Sequence, residues 1–209
     1  MTYKNYKIFF SRITLLSLII LVCVNPLNAQ NEGDQFLESL QNKFNTIKDF
    51  TASITQTISG KQSLSGKILF KKENNFRIEF GNSIIVSDGI SSWNLNKKEN
   101  KVIITDYAED ESLFSINYLV YQFPLQCTLK GERDGNLRKL TLTPKSRTSN
   151  FGEVTLWINN ADLIEKIQTY DAASGLMELF FSNITINKNI PVSYFQFSPP
   201  LESKIIDLR

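Results

Sequence analysis

From Phe50 onward the chain settles into a period of two. Phe50, Ala52, Ile54 and Ile58 alternate with Thr51, Ser53, Thr55 and Thr57. That alternation puts one apolar set on one face of a half-buried β-strand. No other feature constrains the fold as strongly, because the pattern then repeats. Gly60-Lys61-Gln62 turns the chain into a second strand with Leu64, Ile68 and Phe70 on one face. Glu73-Asn74-Asn75 turns it again into Phe76-Arg77-Ile78-Glu79-Phe80, the cleanest alternation in the sequence. Gly81-Asn82 and Asp88-Gly89 are hairpin signals on either side of Ile84-Ile85-Val86. Trp93 with Leu95, then Val102 with Ile104, continue the meander. The connections are short, so neighbouring strands are expected to pair antiparallel.

Between Ala108 and Phe123 the pattern breaks. Asp110-Glu111-Ser112 opens a stretch carrying Leu113, Phe114, Ile116, Tyr118 and Val120, which predicts a short helix or helical loop ending at Pro124. Strand patterns resume at 126–131, 137–143, 153–158, 163–170 and 176–186, with turns at Asp134-Gly135, Asn159-Asn160 and Ser174-Gly175. The expectation is six strands before the break and five after it. Ahead of the first strand, Phe36, Leu40, Phe44 and Ile47 recur at helical spacing, with Asp34 as the expected N-cap and Glu38, Gln41 and Lys43 on the polar face. An antiparallel sheet of about eleven strands with one apolar face must curl on itself or be covered. Two short amphipathic helices are the only cover. Either the sheet closes into a packed barrel, or it leaves an apolar hollow under a helical lid.

The first 29 residues read as a cleavable signal peptide. They hold Lys4, Lys7 and Arg12 but no acid, then an apolar run from Ile13 to Val24, and close on the small residue Ala29. Cys23 follows Val22 rather than a small residue, so lipidation there is not expected. Residues 30–209 then form a single exported domain without an apolar stretch approaching the ~18 residues of a membrane span. They carry 20 basic and 21 acidic residues, a formal charge of −1 that argues against nucleic acid as a partner.

Two absences narrow the chemistry. The chain has no histidine, which removes Ser-His and Cys-His nucleophile pairs and the usual His-bearing zinc sites. Cys127 is the one cysteine outside the signal, so it forms no internal disulfide and reads as a buried thiol. The acidic group Asp106, Glu109, Asp110 and Glu111 lacks the spacing and central glycine of a calcium loop, and reads as a solvated loop. Ser59-Gly60-Lys61 lacks the upstream glycine of a phosphate loop. No catalytic residue, metal or cofactor is assigned. Lys72 shares parity with Ile68 and Phe70 at the end of its strand, so it must snorkel to the rim or meet carbonyls of a covering element.

Several segments arrive in a familiar order: Ser53-Ile54-Thr55-Gln56, the strand Gly66 to Lys72, Phe76-Arg77-Ile78-Glu79-Phe80, and Ser87-Asp88-Gly89 followed by Trp93. Leu142-Thr143-Pro144 and Phe195-Gln196-Phe197-Ser198-Pro199-Pro200 follow. The set resembles the LolA family, periplasmic carriers that move lipoproteins from the inner to the outer membrane. The resemblance implies a mainly β fold, an open and incomplete antiparallel barrel of about eleven strands under short helices. It implies an acyl-chain cavity, for which Leu40, Phe44, Ile54, Ile68, Phe70, Phe76, Ile78, Phe80, Trp93, Leu95 and Phe114 are the candidates. It also implies outer-membrane-directed lipoproteins as cargo, an inner-membrane ABC lipoprotein-releasing complex and an outer-membrane acceptor as partners, a periplasmic location and a monomer.

The family often carries an arginine-proline pair where this chain has Lys72-Glu73, the arginine holding the lid closed. Lysine is a point charge rather than a planar fork, so the same lid geometry does not transfer directly. A lipid-anchored outer-membrane acceptor, an envelope-stress sensor with a similar half-barrel, and a carrier of another envelope lipid are the alternatives.

Overall fold

The computed structural model describes residues 26–107, 115–146, 152–171 and 175–209. Residues 1–25 of the expected 1–29 signal peptide, the acidic residues Glu109, Asp110 and Glu111, and the cavity candidate Phe114 lie outside the described residues.

The chain opens with α1 (Pro26–Thr46), which begins on a proline, a residue type favoured in the first turn of a helix. Asp34, expected as the N-cap, instead lies within the helix, because nothing between Leu27 and Glu32 breaks it. A continuous meander follows: β1 (Asp49–Ile58), β2 (Lys61–Lys71), β3 (Asn75–Phe80), β4 (Ser83–Asp88), β5 (Ser91–Asn96) and β6 (Lys101–Asp106). The break in the pattern contains a wide π-type turn, Tyr118–Gln122, that tightens into a 3₁₀ turn, Phe123–Gln126. A second meander comprises β7 (Cys127–Asp134), β8 (Leu137–Pro144), β9 (Val154–Ile158), β10 (Ile164–Asp171) and β11 (Gly175–Ile186).

Strand β11 pairs with β1, so the two meanders join into one sheet rather than two. A last strand, β12 (Lys204–Asp207), returns to lie parallel to β6. The order is β12-β6-β5-β4-β3-β2-β1-β11-β10-β9-β8-β7, and the two ends do not meet. The expected open, lidded β-fold is therefore observed. Among the described residues the strand count is twelve against the expected eleven or so, and β12 accounts for the difference. Its four residues are too few to display an alternation, which is why the sequence pattern does not reveal it.

Register fixes which side chains share a face. Ile68 lies across from Ala52 and Ile78, and Phe70 across from Phe50 and Phe76. On the other wing Ile54 meets Phe181, and Leu179, Ile167, Leu156 and Leu140 follow strand by strand. These residues form one continuous inner core. At β4 to β6 the polarity inverts. Ile78 pairs with Ile85, Ile85 with Asn94 and Asn94 with Ile103, so beside Ile85 and Ile103 the inner positions include Ser87, Ser92, Asn94 and Thr105. Trp93 and Leu95, expected to line the hollow, lie on the outer face with Val102 and Ile104. There the C-terminal arm covers them, with Trp93 and Phe197 stacked at 6.1 Å between ring centres.

Helix α1 lies over the inner face and buries Phe36, Leu40, Phe44 and Ile47. Its close approach to β7 depends on two glycines. A Cβ at Gly131 would come within 2.5 Å of the Gly33 nitrogen and 2.6 Å of the Glu32 carbonyl carbon. Backbone atoms cannot step aside as a side chain would, so the helix itself would have to lift. Gly131→Ala is expected to cost about 1–3 kcal/mol in urea unfolding. Gly152→Ala is the control: its new carbon would meet only the Tyr170 carbonyl, at 3.7 Å, and stability should stay within about 0.5 kcal/mol. Equal effects of the two changes would contradict this packing.

Candidate functional site

An apolar helix resting on an apolar sheet is held in register by whatever polar contacts its ends can make. The last four carbonyls of a helix have no partner within it, and in α1 each finds one. Thr46 Oγ1 donates to the Lys43 carbonyl at 2.7 Å, and the Ile47 amide to the Phe44 carbonyl at 3.1 Å. Lys72 Nζ donates to the Asn45 carbonyl at 2.7 Å, and Asn187 Nδ2 to the Thr46 carbonyl at 3.1 Å. Two of the four partners thus come from elsewhere in the chain, just past β2 and just past β11. The Lys72 ammonium also sits at the negative end of the helix dipole, a favourable placement for a cation.

Midway along α1 a second fixing point comes from the other wing. Arg138 Nη1 donates to Ser39 Oγ at 2.8 Å. Its Nη2 donates to Asp162 Oδ1 and to the Asn159 carbonyl, both at 2.6 Å. The guanidinium carbon stands 5.7 Å from the Phe36 ring centre. The side chain is 15 % exposed, so these charge-assisted bonds act with limited competition from water.

The helical turn between the meanders completes the cover. Gln41 Nε2 donates to the Val120 carbonyl at 2.9 Å, and Tyr121 Oη to Asn45 Oδ1 at 2.5 Å. Tyr118, Leu119, Val120 and Phe123 are buried beneath. Burial raises the Tyr121 phenol above its ordinary range, which keeps it a donor.

Under this cover lies a cavity of about 40 Å³, walled by Leu40, Phe44, Ile47, Phe50, Ala52, Ile116, Val120, Leu163, Ile164, Ile167, Phe181, Ile184 and Ile186, with Asp162 at its edge. That is space for about one water, well below the roughly 300 Å³ of a small-molecule pocket. The helix stripe fills most of the space between helix and sheet. A separate groove of about 330 Å³ lies between α1, the 3₁₀ turn and the start of β7, with Cys127, Leu37 and Leu129 among its lining residues.

Of the cavity candidates, Leu40 and Phe44 line the slot itself. Phe70 stacks on Phe50 at 5.2 Å and leans on Phe44 at 5.6 Å. Ile54, Ile68 and Ile78 belong to the core, each no more than 2 % exposed. Phe76 packs toward Tyr107, and Phe80 is buried across from Gly66. Trp93 and Leu95 belong to the outer face and do not reach the slot.

Arg138 is a site residue that the sequence reading does not single out. The signal is present: Arg138 shares parity with Leu140 and Leu142, the same relation that marks Lys72. The groups Gln41, Asn45, Tyr121 and Asn187 carry no such signal, because surface helices and turns routinely hold these residue types.

An open antiparallel sheet, with an amphipathic helix fixed across its apolar inner face by polar bonds, defines a lidded half-barrel. The family model described as outer membrane lipoprotein carrier protein LolA matches residues 45–198, and the chain belongs to that family. The outer-membrane lipoprotein carrier protein of Legionella pneumophila (strain Lens) is 26% identical over 177 residues, covering 78% of this chain and 85% of that protein. The outer-membrane lipoprotein carrier protein of Nitrosomonas europaea is 24% identical over 202 residues, covering 89% and 94%. Among solved structures, an uncharacterized conserved protein from Thermus thermophilus aligns with a TM-score of 0.58 at 15% identity, covering 83% of this chain and 98% of that one, a likeness of fold.

Two outcomes are expected of the site. Arg138→Lys replaces the fork with a point charge and should cost about 1–3 kcal/mol. In a double-mutant cycle with Ser39→Ala a coupling of about 0.5 kcal/mol or more should appear. Additive losses would show that the two side chains do not act together. Burial pushes the Cys127 thiol up to about 11, with Lys145 opposing the shift. The folded state therefore keeps a proton that the unfolded chain gives up, and stability is lost as pH rises from the ordinary thiol range toward that value. Unfolding at pH 8 and pH 10.5 should show a smaller alkaline loss in Cys127→Ala than in the parent, and equal losses would contradict the assignment.

Proposed function

We propose that this chain is a periplasmic carrier that takes up the acyl chains of lipoproteins beneath α1 and gives them to an outer-membrane acceptor. The observation that carries the reading is the division of labour at the lid. Its buried stripe is apolar, and the bonds that hold it are few, polar and placed around the slot. Among the described residues, no helix is long and apolar enough to cross a membrane.

The magnitudes favour exchange of helix for lipid. Burying Phe36, Leu40, Phe44 and Ile47 contributes roughly 1.5–3 kcal/mol each, so the stripe is worth roughly 6–12 kcal/mol. An acyl chain of about 15 methylenes, at about 0.8 kcal/mol each, gains about 12 kcal/mol on leaving water. The two are comparable. A lipid can therefore displace the helix stripe, and the helix can reclaim its place when a better acceptor is offered. Neither direction requires chemistry on the carrier, and the proposed function is binding and release without catalysis. An inner-membrane lipoprotein-releasing complex would load it and supply the direction.

The test uses a fluorescent fatty-acyl probe. Lys72→Leu removes the donor at the Asn45 carbonyl without touching the slot walls. It is expected to leave circular dichroism unchanged and to speed probe uptake about fivefold, the effect of losing about 1 kcal/mol of closure. Mass spectrometry of protein purified from envelope extract should find co-purifying lipoprotein. A parent protein that binds neither the probe nor any acylated molecule would overturn the reading.

A further inference from the structure

The strands β1, β2 and β11 all reach the same end of the sheet, and the C-terminus of α1 arrives there too. Five lysines gather at that end, and hydrogen bonds fix four of them there. The Lys72 amide donates to the Lys48 carbonyl at 2.9 Å, and the Lys48 amide to Asn187 Oδ1 at 2.7 Å. The Lys188 amide donates to Asp49 Oδ1 at 2.8 Å, and Lys71 Nζ to the Ile190 carbonyl at 2.9 Å. Lys43 lies in the last turn of α1. Among the described residues none of the five is in an ion pair. Of the nearby acids, Asp49 is 1 % exposed and its oxygens accept backbone amides, which leaves Glu73 at the border. Asp88 and Asp106 lie two and four strands further along the same end, so the charge is one-sided.

The position of the lysines is what matters. Lys43 adjoins Phe44, Lys48 adjoins Ile47, and Lys188 follows Ile186 by two residues, and all three apolar neighbours line the slot. The slot thus ends in a collar of positive charge. On the outer face of β2, Phe195 is fully buried against Leu69 and Ile190 and anchors a short turn, and Lys71 Nζ reaches round to the Ile190 carbonyl just before it. From that turn Val192 and Tyr194 stand 54 % and 53 % exposed. Long-stemmed lysines around an apolar opening suit the boundary between lipid headgroups and acyl chains.

We propose that this lysine-collared end docks on an anionic phospholipid surface, which presents the slot to the acyl chains of a membrane. The proposal rests on the carrier reading for its purpose but not for its test. The chain without cargo is mixed with phosphatidylcholine vesicles that contain or lack phosphatidylglycerol, and binding is read by sedimentation. Binding should require phosphatidylglycerol and weaken with salt. At about fivefold per lysine, Lys48→Glu with Lys188→Glu should reduce it at least ~20-fold. Lys61→Glu with Lys98→Glu, at the opposite end of the sheet, should leave it unchanged. Uptake of the free acyl probe should be the same in both variants.

Absence of a preference for phosphatidylglycerol, or an equal loss in the opposite-end variant, would overturn the proposal. Binding to immobilised polyglutamate as tight as to phosphatidylglycerol vesicles, at matched charge and salt, would also overturn it, because the patch would then not be one for a lipid surface. Vesicle binding without probe uptake would instead sink the carrier reading and leave the docking surface standing.

Discussion

An open sheet with an apolar inner face cannot stay bare in water, and everything else in this structure answers that constraint. Helix α1 is the answer, laid over the inner face so that Phe36, Leu40, Phe44 and Ile47 fill the space between the two wings. A closed barrel would have solved the same problem permanently. Here β7 and β12 remain apart, so the core depends on an element that covers it rather than on strands that enclose it. The cover is joined to the sheet covalently at one end only, through residues 47–48.

How the cover is held follows from that arrangement. Apolar packing is non-directional and would tolerate the helix sliding along its stripe. Position comes from the groups that do have direction: Lys72 and Asn187 on the terminal carbonyls, Arg138 on Ser39, and Tyr121 on Asn45. The Gly33–Gly131 approach sets the distance of the helix from β7. These contacts lie around the slot rather than in it. Replacing the helix stripe by another apolar body would therefore break few specific bonds within the core. On the proposed function, this is the feature that would let a well-packed domain also serve as a container.

Much of this is legible in the sequence. Period-two alternation locates the strands of both meanders, and short turns imply their antiparallel pairing. The family resemblance implies the openness that periodicity leaves undecided. The departures have identifiable reasons. Trp93 and Leu95 are expected in the hollow only if the alternation keeps one face throughout. The sheet inverts its polarity at β4, where Val86 rather than Ile85 is fully buried, and the return of Phe197 makes the outer face a second core. Strand β12 is too short to announce itself. Arg138 has a parity as telling as that of Lys72, but the family's lid position coincides only with Lys72, and the arginine's partners Ser39 and Asp162 are far from it in sequence.

The central claim is that α1 and an acyl chain occupy the same space in turn. Spin labels at Glu38→Cys on the exposed face of α1 and Ser182→Cys on β11, in a Cys127→Ala background, report the separation of helix and sheet directly. Pulsed electron–electron resonance without ligand should give a single short distance. Saturation with a long-chain fatty acid should shift the distribution to longer distances as the helix leaves the slot. A distribution that does not move while the ligand is bound stoichiometrically would contradict the account, since the lipid would then be held somewhere other than beneath the helix.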